Sequence, residues 1–270
     1  MNILHLTDLH FDSQTRLPAL ITALKNSDLM ESIDPENTYL LITGDVATKG
    51  QNNSYQFAQP FIEQVFIQTG KIKRSNIILC PGNHDFARGS GLAAFNEFSR
   101  SVRDDGAFIF NSDNVILKRV DDILFCSLNS MYQYDRGHSS VDVRELARKL
   151  SRAKSESENC KHKIAILHHH LIGVQEGDQT TLQNGLPVLQ ILDQYGFKLV
   201  LHGHQHVQLD LIINNIQIMS GRSLLSPASF LTNGFNKIRY DESNGIFTKE
   251  SYELISDLPP LGQLSLRKVS

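Results

Sequence analysis

The stretch Leu199-Val-Leu-His-Gly-His-Gln-His206 joins a short apolar run to a dense group of histidines. The run over residues 197–201 has the length and composition of a buried strand. Imidazole is a common ligand of divalent transition metals, and the glycine at position 203 lets the backbone approach a site closely. On a tight loop, His204 and His206 can direct their rings toward two different ions. A histidine pair without a metal is the alternative that this stretch alone leaves open.

The composition is that of one large α/β domain or two small ones. The chain has 270 residues, of which 40% are hydrophobic, enough to bury a sizeable core. Its formal net charge of −3 argues against a broadly basic surface for nucleic acid. The three cysteines are odd in number and lack the spacing of a metal site, and two of them, Cys80 and Cys126, are predicted to be buried thiols.

Apolar runs in this sequence are all short. None approaches the ~18 residues of a membrane span. The apolar run at residues 1–6 is too short for a signal sequence. We therefore expect a soluble, cytoplasmic protein with no membrane partner.

Two predicted strands near the N-terminus end in carboxylates. Residues 2–6 lead directly into Asp8 and His10, and alternation along an extended backbone puts these two side chains on the same side, where both can reach one ion. Residues 39–42 lead into Thr43-Gly44-Asp45, and the carboxylate of Asp45 is well placed to join the same site. Taken alone, the first of these motifs is also consistent with ordinary capping at the end of a strand.

A third predicted strand, residues 76–80, is followed by Pro81-Gly82-Asn83-His84-Asp85. Asn83 offers a neutral amide oxygen, His84 a proton donor or acceptor, and Asp85 a carboxylate able to orient His84. A Pro-Gly turn followed by asparagine is also ordinary turn chemistry, so this segment alone decides nothing.

Three consecutive histidines, His168, His169 and His170, follow the predicted strand at residues 163–167. Because buried imidazoles need hydrogen-bond partners, three of them at a strand end are difficult to explain as core residues. We take His168 as the metal ligand. The other two are interpreted as supporting or substrate-facing groups.

Strands and helices alternate along the chain. Two hairpins are added to this pattern, one turning at Asn214-Asn215 and one at Ser243-Asn-Gly245. This order predicts an α/β fold in which sheets are flanked by helices, and the ends of separate strands meet at one edge. Apolar spacing typical of helices occurs at residues 17–24, where we expect a helix of about four turns, and at residues 55–69, 92–98, 143–153 and 182–195. Pro60 lies within the second of these, so that helix is expected to start or to kink near it.

The apolar periodicity is lost after residue 254, where Pro259-Pro260 occurs. We therefore predict a domain over residues 1–255 and a tail or linker over residues 256–270. A frayed terminus is one interpretation of this segment. The other is a connection to a downstream domain or partner.

The ordered motifs Asp8-x-His10, Gly44-Asp45, Gly82-Asn83-His84-Asp85, His168 and Gly203-His204-x-His206 resemble those of the calcineurin-like metallophosphoesterase superfamily over residues 1–254. The sequence is most similar to the bacterial branch that includes cyclic-nucleotide phosphodiesterases. It departs from that branch at Leu171, where proline is usual, and this leaves the shape of the neighbouring substrate loop open. The resemblance implies a four-layer α/β/β/α sandwich of two mixed sheets, with a dinuclear metal site at the strand ends.

The resemblance also implies a role for each motif residue. His84 would face the leaving group, with Asp85 fixing its ring, and Asp45 would bridge the two ions. Asp8, His10 and His206 would hold one ion, and Asn83, His168 and His204 the other.

The charge of such a site suits an anionic phosphoester. Two divalent ions bring four positive charges, Asp8 and Asp45 bring two negative ones and a bridging hydroxide a third, which leaves about +1 (4 − 2 − 1). Hydroxide held between two ions ~3.5–4 Å apart is placed for in-line attack on phosphorus. Mixed nitrogen and oxygen ligands suit Mn, Fe, Zn or Co.

The leading hypothesis is a phosphodiesterase acting on a small nucleotide-type substrate, cyclic nucleotides included. A metal-dependent DNA nuclease is the alternative, and the basic cluster over residues 144–154 is its only support. A phosphomonoesterase or phosphoprotein phosphatase is a further alternative. A non-enzymatic scaffold with a relict metal site is disfavoured, because loss of function would be expected to delete at least one ligand.

Overall fold

The computed structural model describes residues 1–12, 15–48, 52–111, 113–131, 139–173, 180–226, 232–256 and 264–269. Two six-stranded sheets pack face to face, and helices cover the outer face of each. This arrangement is the four-layer α/β/β/α sandwich, so the predicted fold class is confirmed.

The first sheet is mixed, with the order β12-β11-β10-β1-β2-β3. Its parallel strands are β1 (Asn2–Leu6), β2 (Thr38–Thr43) and β3 (Ile77–Cys80). It continues antiparallel through β10 (Gly234–Asp241), β11 (Ile246–Ser256) and β12 (Leu264–Lys268). The helices associated with it are α1 (Leu17–Lys25), α2 (Asp28–Glu31), α3 (Tyr55–Ile62) and α4 (Ala93–Arg103).

The second sheet has the order β4-β5-β6-β7-β9-β8, and its two edge strands run antiparallel to the four inner ones. Its strands are β4 (Val115–Val120), β5 (Ile123–Leu128), β6 (His162–Ile166), β7 (Leu199–His202), β8 (Asp210–Ile213) and β9 (Ile216–Ser220). Its helices are α5 (Val143–Arg152), α6 (Lys154–Glu158) and α7 (Gly185–Gln194).

Alternation along the inner strands builds two separate cores. Ile164 and Ile166 on β6 belong to the cluster that includes the space between the sheets, whereas Ala165 and Leu167 belong to the cluster beneath α5 and α7. Because both faces of such a strand are covered, it reads in the sequence as an uninterrupted apolar run.

Several helices differ from the predicted spans. The helix α1 has nine residues instead of about four turns, and the short α2 follows it at once. Pro60 lies inside α3, where the sequence left a start or a kink open, and the helix continues as a π-helical turn over Glu63–Ile67. Gln68 N–H donates to Glu63 O at 2.8 Å, which is the i→i+5 spacing of such a turn.

The segment after residue 256 contains a strand, β12, which the sequence did not predict. Leu264 and Leu266 pack against the core of the first sheet, and Lys268 Nζ pairs with Glu250 at 2.9 Å. The expectation of no strand in residues 256–270 was therefore wrong. Two leucines separated by a single residue, close to Pro259-Pro260, are too short a pattern to indicate a strand. The division of the chain at residue 255 and a linker function for residues 256–270 stay predictions.

Within the described ranges, no helix combines the length and the apolar character that crossing a lipid bilayer requires.

Removing residues 257–270 is expected to lower the melting temperature while leaving metal binding intact. The deletion removes the outermost strand of the first sheet and two half-buried leucines worth roughly 1–2 kcal/mol together, or roughly 3–8 °C in melting temperature. All candidate ligands precede residue 207. Differential scanning calorimetry and elemental analysis measure the two effects.

The matched control is Arg267→Ala in the full chain. The Arg267 side chain is 63% exposed and pairs with Glu253, so its loss should change the melting temperature by less than about 1–2 °C. An unchanged melting temperature in the truncated protein would show that β12 contributes nothing to stability.

Candidate metal centre

Five loops at the carboxyl ends of parallel strands bring all seven predicted metal ligands together. The loops follow β1, β2 and β3 of the first sheet and β6 and β7 of the second. Each sheet therefore contributes ligands to one shared cluster. The members are Asp8, His10, Asp45, Asn83, His168, His204 and His206.

One half of the cluster joins Asp8, His10 and His206. The Nε2 atoms of the two histidines are 3.1 Å apart. Asp8 Oδ1 lies 3.2 Å from His206 Nε2 and 3.8 Å from His10 Nε2. These three ligand atoms are therefore positioned around one point, as the sequence predicted for the first ion.

The other half joins Asn83, His168 and His204. Asn83 Oδ1 lies 3.0 Å from His168 Nε2 and 3.1 Å from His204 Nδ1, and the two imidazole nitrogens are 3.2 Å apart. Asp45 Oδ2 is 3.3 Å from His168 Nε2. Asp45 is also within reach of His10 and His84, so it lies between the two halves.

These distances fit divalent ions with nitrogen and oxygen ligands. Donor atoms held at about 2.0–2.2 Å from one ion lie roughly 3.0–3.5 Å from each other. Every quoted pair within the two halves has this spacing except Asp8 Oδ1 and His10 Nε2, which are 3.8 Å apart. Asp8 Oδ1 is buried and has no hydrogen-bond partner among the described residues. Nitrogens and oxygens at this separation, with a buried carboxylate oxygen directed at them, form a donor set suited to a metal.

Each aspartate has one oxygen fixed by the protein and the other directed at the cluster. Asp8 Oδ2 accepts hydrogen bonds from Thr7 Oγ1 at 2.7 Å and from His204 N–H at 2.9 Å. Asp45 Oδ1 accepts from the backbone N–H of His84 at 2.7 Å. The orientation of both carboxylates is thus set before any ion binds.

The tautomer of His168 is fixed in the same way. Its Nδ1–H donates to Thr43 O at 2.8 Å, so Nε2 is the nitrogen that faces the cluster and that a metal would bind once the ring is neutral. Thr43 is the last residue of β2, so this hydrogen bond also ties the second sheet to the first. His168 is therefore the histidine of the three that joins the cluster, as expected from the sequence.

The backbone at the ligands adopts an uncommon conformation. Asp8, His10 and Asp45 have φ angles of 49°, 47° and 51°. His204 and His206 have φ angles of 79° and 58°. Non-glycine residues in this left-handed region cost about 1–3 kcal/mol each and persist where the surroundings impose them, as at binding sites.

Two glycines allow the loops to approach one another. A Cβ on Gly82 would lie 2.2 Å from Asp45 Oδ1, and a Cβ on Gly203 would lie 1.8 Å from Thr7 Oγ1. Any side chain at either position would displace an aspartate or the threonine that orients it. This contact explains why glycine precedes ligands in the motifs.

The electrostatics of the cluster favour bound positive charge. Burial alone would raise the pKa of Asp45, but the nearby imidazole of His168 outweighs it and lowers the pKa to about 2. In return, Asp45 and Asp8 overcome the burial of His168 and raise its pKa to about 9. The two carboxylates therefore stay ionised and attract a cation, which is the charge that a divalent metal brings.

His84 lies at the rim of the cluster, and its side chain is 31% exposed. Its Nε2 is 4.0 Å from Asp45 Oδ2, and its ring centroid is 5.2 Å from that of His10. Burial lowers the pKa of His84. It is more exposed than the ligand His206, at 20%, and so meets both solvent and the cluster.

Asp85 does not orient His84 as the sequence suggested. Its Oδ1 accepts from Ala47 N–H at 3.0 Å and from Tyr55 Oη–H at 2.8 Å, and its Oδ2 accepts from Gly82 N–H at 2.9 Å. The tight turn over residues 82–85 folds the carboxylate back toward its own loop, away from the neighbouring ring. Asp85 instead holds the loops after β2 and β3 against each other.

The two histidines after His168 support the cluster from outside it. Ser130 Oγ and His169 Nδ1 are 2.8 Å apart, and the ring of His169 packs 4.5 Å from that of His204. His170 Nε2 lies 3.1 Å from Thr181 Oγ1.

Sequence reasoning missed several supporting residues. Thr7 and Thr43 stand directly beside the motifs. The hydroxyl group of Thr7 was available as a signal, whereas Thr43 acts through its backbone carbonyl, which its side chain does not reveal. Ser130 and Tyr55 lie far from the motifs and carry no such signal.

The chain resembles known proteins both in its sequence and in its fold. The calcineurin-like phosphoesterase family matches residues 1–208. No protein of curated function matches this chain. A dimetal phosphatase from Danio rerio has a similar fold, with a TM-score of 0.55 and 10% identity over 100% of this chain and 98% of the other.

A Staphylococcus aureus protein assigned as a 5′-nucleotidase also has a similar fold, with a TM-score of 0.53 and 15% identity over 100% of this chain. The chain spans only 54% of the length of that protein. These identities establish the similarity of fold alone. The family match covers most of the sequence and includes every candidate ligand, and the chain therefore belongs to the calcineurin-like phosphoesterase family.

Proposed function

We propose that this protein is a metal-dependent phosphodiesterase acting on a small nucleotide-type substrate, cyclic nucleotides included. The observation that carries the proposal is the complete set of seven candidate ligands, converged at one edge of the sandwich. The family uses dinuclear divalent metal sites and acts on phosphoesters. A relict site would be expected to lack at least one ligand, which argues against a scaffold without activity.

In the proposed site, Asp45 is shared by two ions, and three further residues hold each. When two divalent ions are bound, they supply an activated water and neutralise phosphate charge. The chain contributes carboxylates that are already oriented and, in His168, an imidazole whose Nδ1 is held by a backbone carbonyl, so little reorganisation accompanies binding of substrate. The ligands of the two ions are Asp8, His10 and His206 for one, and Asn83, His168 and His204 for the other.

His84 is the proposed proton donor to the leaving oxygen. It sits at the rim, within reach of both the cluster and solvent, and it is not needed as a ligand. The protonated fraction of the free ring falls as pH rises through its lowered pKa. An anionic phosphoester beside the ring favours the protonated form and counteracts this loss.

The chain departs from the bacterial cyclic-nucleotide branch at Leu171, where that branch usually has proline. Leu171 is buried in the core beneath α5 and α7 together with Leu182. Leu182 N–H donates to His170 O at 2.9 Å. Both described ends of this loop are therefore anchored in the protein.

One observation favours a nuclease as the second candidate. Arg144, Arg148 and Arg152 recur every four residues on α5, all three are exposed, and none forms an ion pair with another described residue. They form a basic stripe of the kind that binds a phosphate backbone. Against this reading, the formal net charge of −3 argues against a broadly basic surface.

The first test is a substrate panel. The protein loaded with Mn²⁺ should hydrolyse bis-p-nitrophenyl phosphate and at least one 2′,3′- or 3′,5′-cyclic nucleotide, and it should leave single-stranded DNA intact. Cleavage of DNA without hydrolysis of any cyclic nucleotide would support a nuclease and contradict the proposed phosphodiesterase. Chelation with EDTA should abolish every activity, and re-addition of metal should restore it.

Asp45→Ala should cost more activity than loss of any single terminal ligand. Asp45 is the only side chain proposed to contact both ions, so its loss weakens both sites, and we expect turnover at least about tenfold below that of His206→Ala or Asn83→Ala. Elemental analysis and turnover of bis-p-nitrophenyl phosphate provide the measurement. An Asp45→Ala protein with two bound metals and near-normal turnover would falsify this assignment.

His84→Ala should retain both metals while losing turnover. General-acid catalysis is typically worth about 10²–10⁴-fold, and the loss should be smaller for diesters with p-nitrophenol as the leaving group than for diesters with an alkyl leaving group. His162→Ala is the control, because His162 lies at the opposite end of β6. Equal losses for both leaving groups would point to phosphate binding and not proton transfer.

A further inference from the structure

A lysine on β10, Lys237, is buried on the outer face of the first sheet. Only 5% of its surface is exposed. Its Nζ donates to Ser32 Oγ at 2.8 Å, which uses one of the three ammonium hydrogens. Among the described residues, no carboxylate pairs with it.

The carboxylate nearest in the sheet is already engaged. Glu250 stands opposite Lys237 in the β10–β11 register, but its side chain pairs with Arg239 and with Lys268. Burial lowers the pKa of Lys237, and the positive charge of Arg239 adds to that effect. The negative charge of Glu250 offsets these effects only in part. A buried ammonium that forms one hydrogen bond and no ion pair among the described residues is costly, so an anionic ligand at this point would be favourable.

Lys237 faces a cavity of about 340 Å³ between α2 and the strands β10, β11 and β12. This volume lies within the range of small-molecule sites. A second cavity, of about 660 Å³ between α1 and β12, shares Ser27, Asp28 and Leu266 with the first. The two form one groove, with its basic end at Lys237.

The charges around the first cavity do not cancel. Lys237, Arg239 and Lys268 contribute three positive charges, and Asp28 and Glu250 contribute two negative ones, which leaves 3 − 2 = +1. The hydroxyl groups of Ser27 and Tyr252 add polar atoms to the wall. A group with several acceptor oxygens matches such a wall better than a group with one or two.

This cavity is separate from the metal centre. Lys237 pairs with Leu4 in the sheet, four residues before Asp8, a distance of about 13 Å along an extended strand. The cavity opens on the helix-covered face of the first sheet, whereas the metal ligands lie beyond the ends of its strands. A ligand here would not touch the cluster.

We propose that the cavity at Lys237 binds the phosphate group of a small molecule, with the rest of that molecule in the adjoining groove. The ammonium supplies a point charge and two unused donors, and Lys268 lies at the cavity wall to share the anionic charge. This second site is independent of the proposed phosphodiesterase activity.

The test uses the purified, metal-containing protein with ¹³C,¹⁵N-labelled lysines, so that each side chain is observed with its three ammonium hydrogens intact. The resonance of Lys237 is assigned by its absence in Lys237→Met, and inorganic phosphate is titrated up to millimolar concentrations. We expect a saturable chemical-shift change at Lys237. Lys163 is the control resonance, because it is also partly buried, donates to Tyr195 O at 2.9 Å and lines neither cavity.

Calorimetry of phosphate binding with Lys237→Met and Lys163→Met then measures the effect of each charge. Lys237→Met should weaken phosphate binding at the Lys237 cavity at least tenfold, and Lys163→Met should leave that binding unchanged. Phosphate bound at the metal centre appears as a second event that neither variant alters. The proposal is overturned if Lys237 shows no saturable shift, if both variants weaken binding equally, or if acetate binds more tightly than phosphate.

Discussion

Two buried carboxylates, Asp8 and Asp45, impose the constraint on which the rest of this structure depends. Each has one oxygen held by backbone N–H or hydroxyl donors and the other left to face five nitrogen and oxygen donors. An arrangement of this kind is stable only if the loops around it are rigid and compensate the negative charge. The glycines at positions 82 and 203, the left-handed backbone at the ligands and the raised pKa of His168 are all consequences of meeting that requirement.

The fold class and the seven converging ligands were predictable because their signals are local. Apolar runs covered on both faces identify the strands, and a ligand at the end of each run identifies the shared edge. The features that escaped prediction depend on contacts between distant segments. Asp85 binds the hydroxyl of Tyr55, 30 residues away, and not the histidine beside it. β12 depends on only two leucines, and Lys237 reads in the sequence as an ordinary surface lysine in a strand.

The histidines illustrate the same limit within one motif. His168 was selected as the first histidine after the strand, but its place in the cluster depends on contacts with Thr43 and Asn83, 125 and 85 residues away in the chain. The neighbouring rings are buried as well, but they meet Ser130 and Thr181 instead of the carboxylates. Identical side chains therefore acquire different functions from the partners that the fold supplies.

The division of ligands between the two sheets has a thermodynamic consequence. Each proposed ion takes ligands from both sheets, so each bound ion would hold the two sheets together across their interface. By linkage, a metal present at 100 times its dissociation constant adds about 2.7 kcal/mol to the free energy of unfolding. The same coupling works in reverse, since a substitution that loosens the packing between Ile164 and the facing sheet would weaken metal affinity without touching a ligand. The apolar core between the sheets is, in this sense, part of the affinity of the protein for its metals.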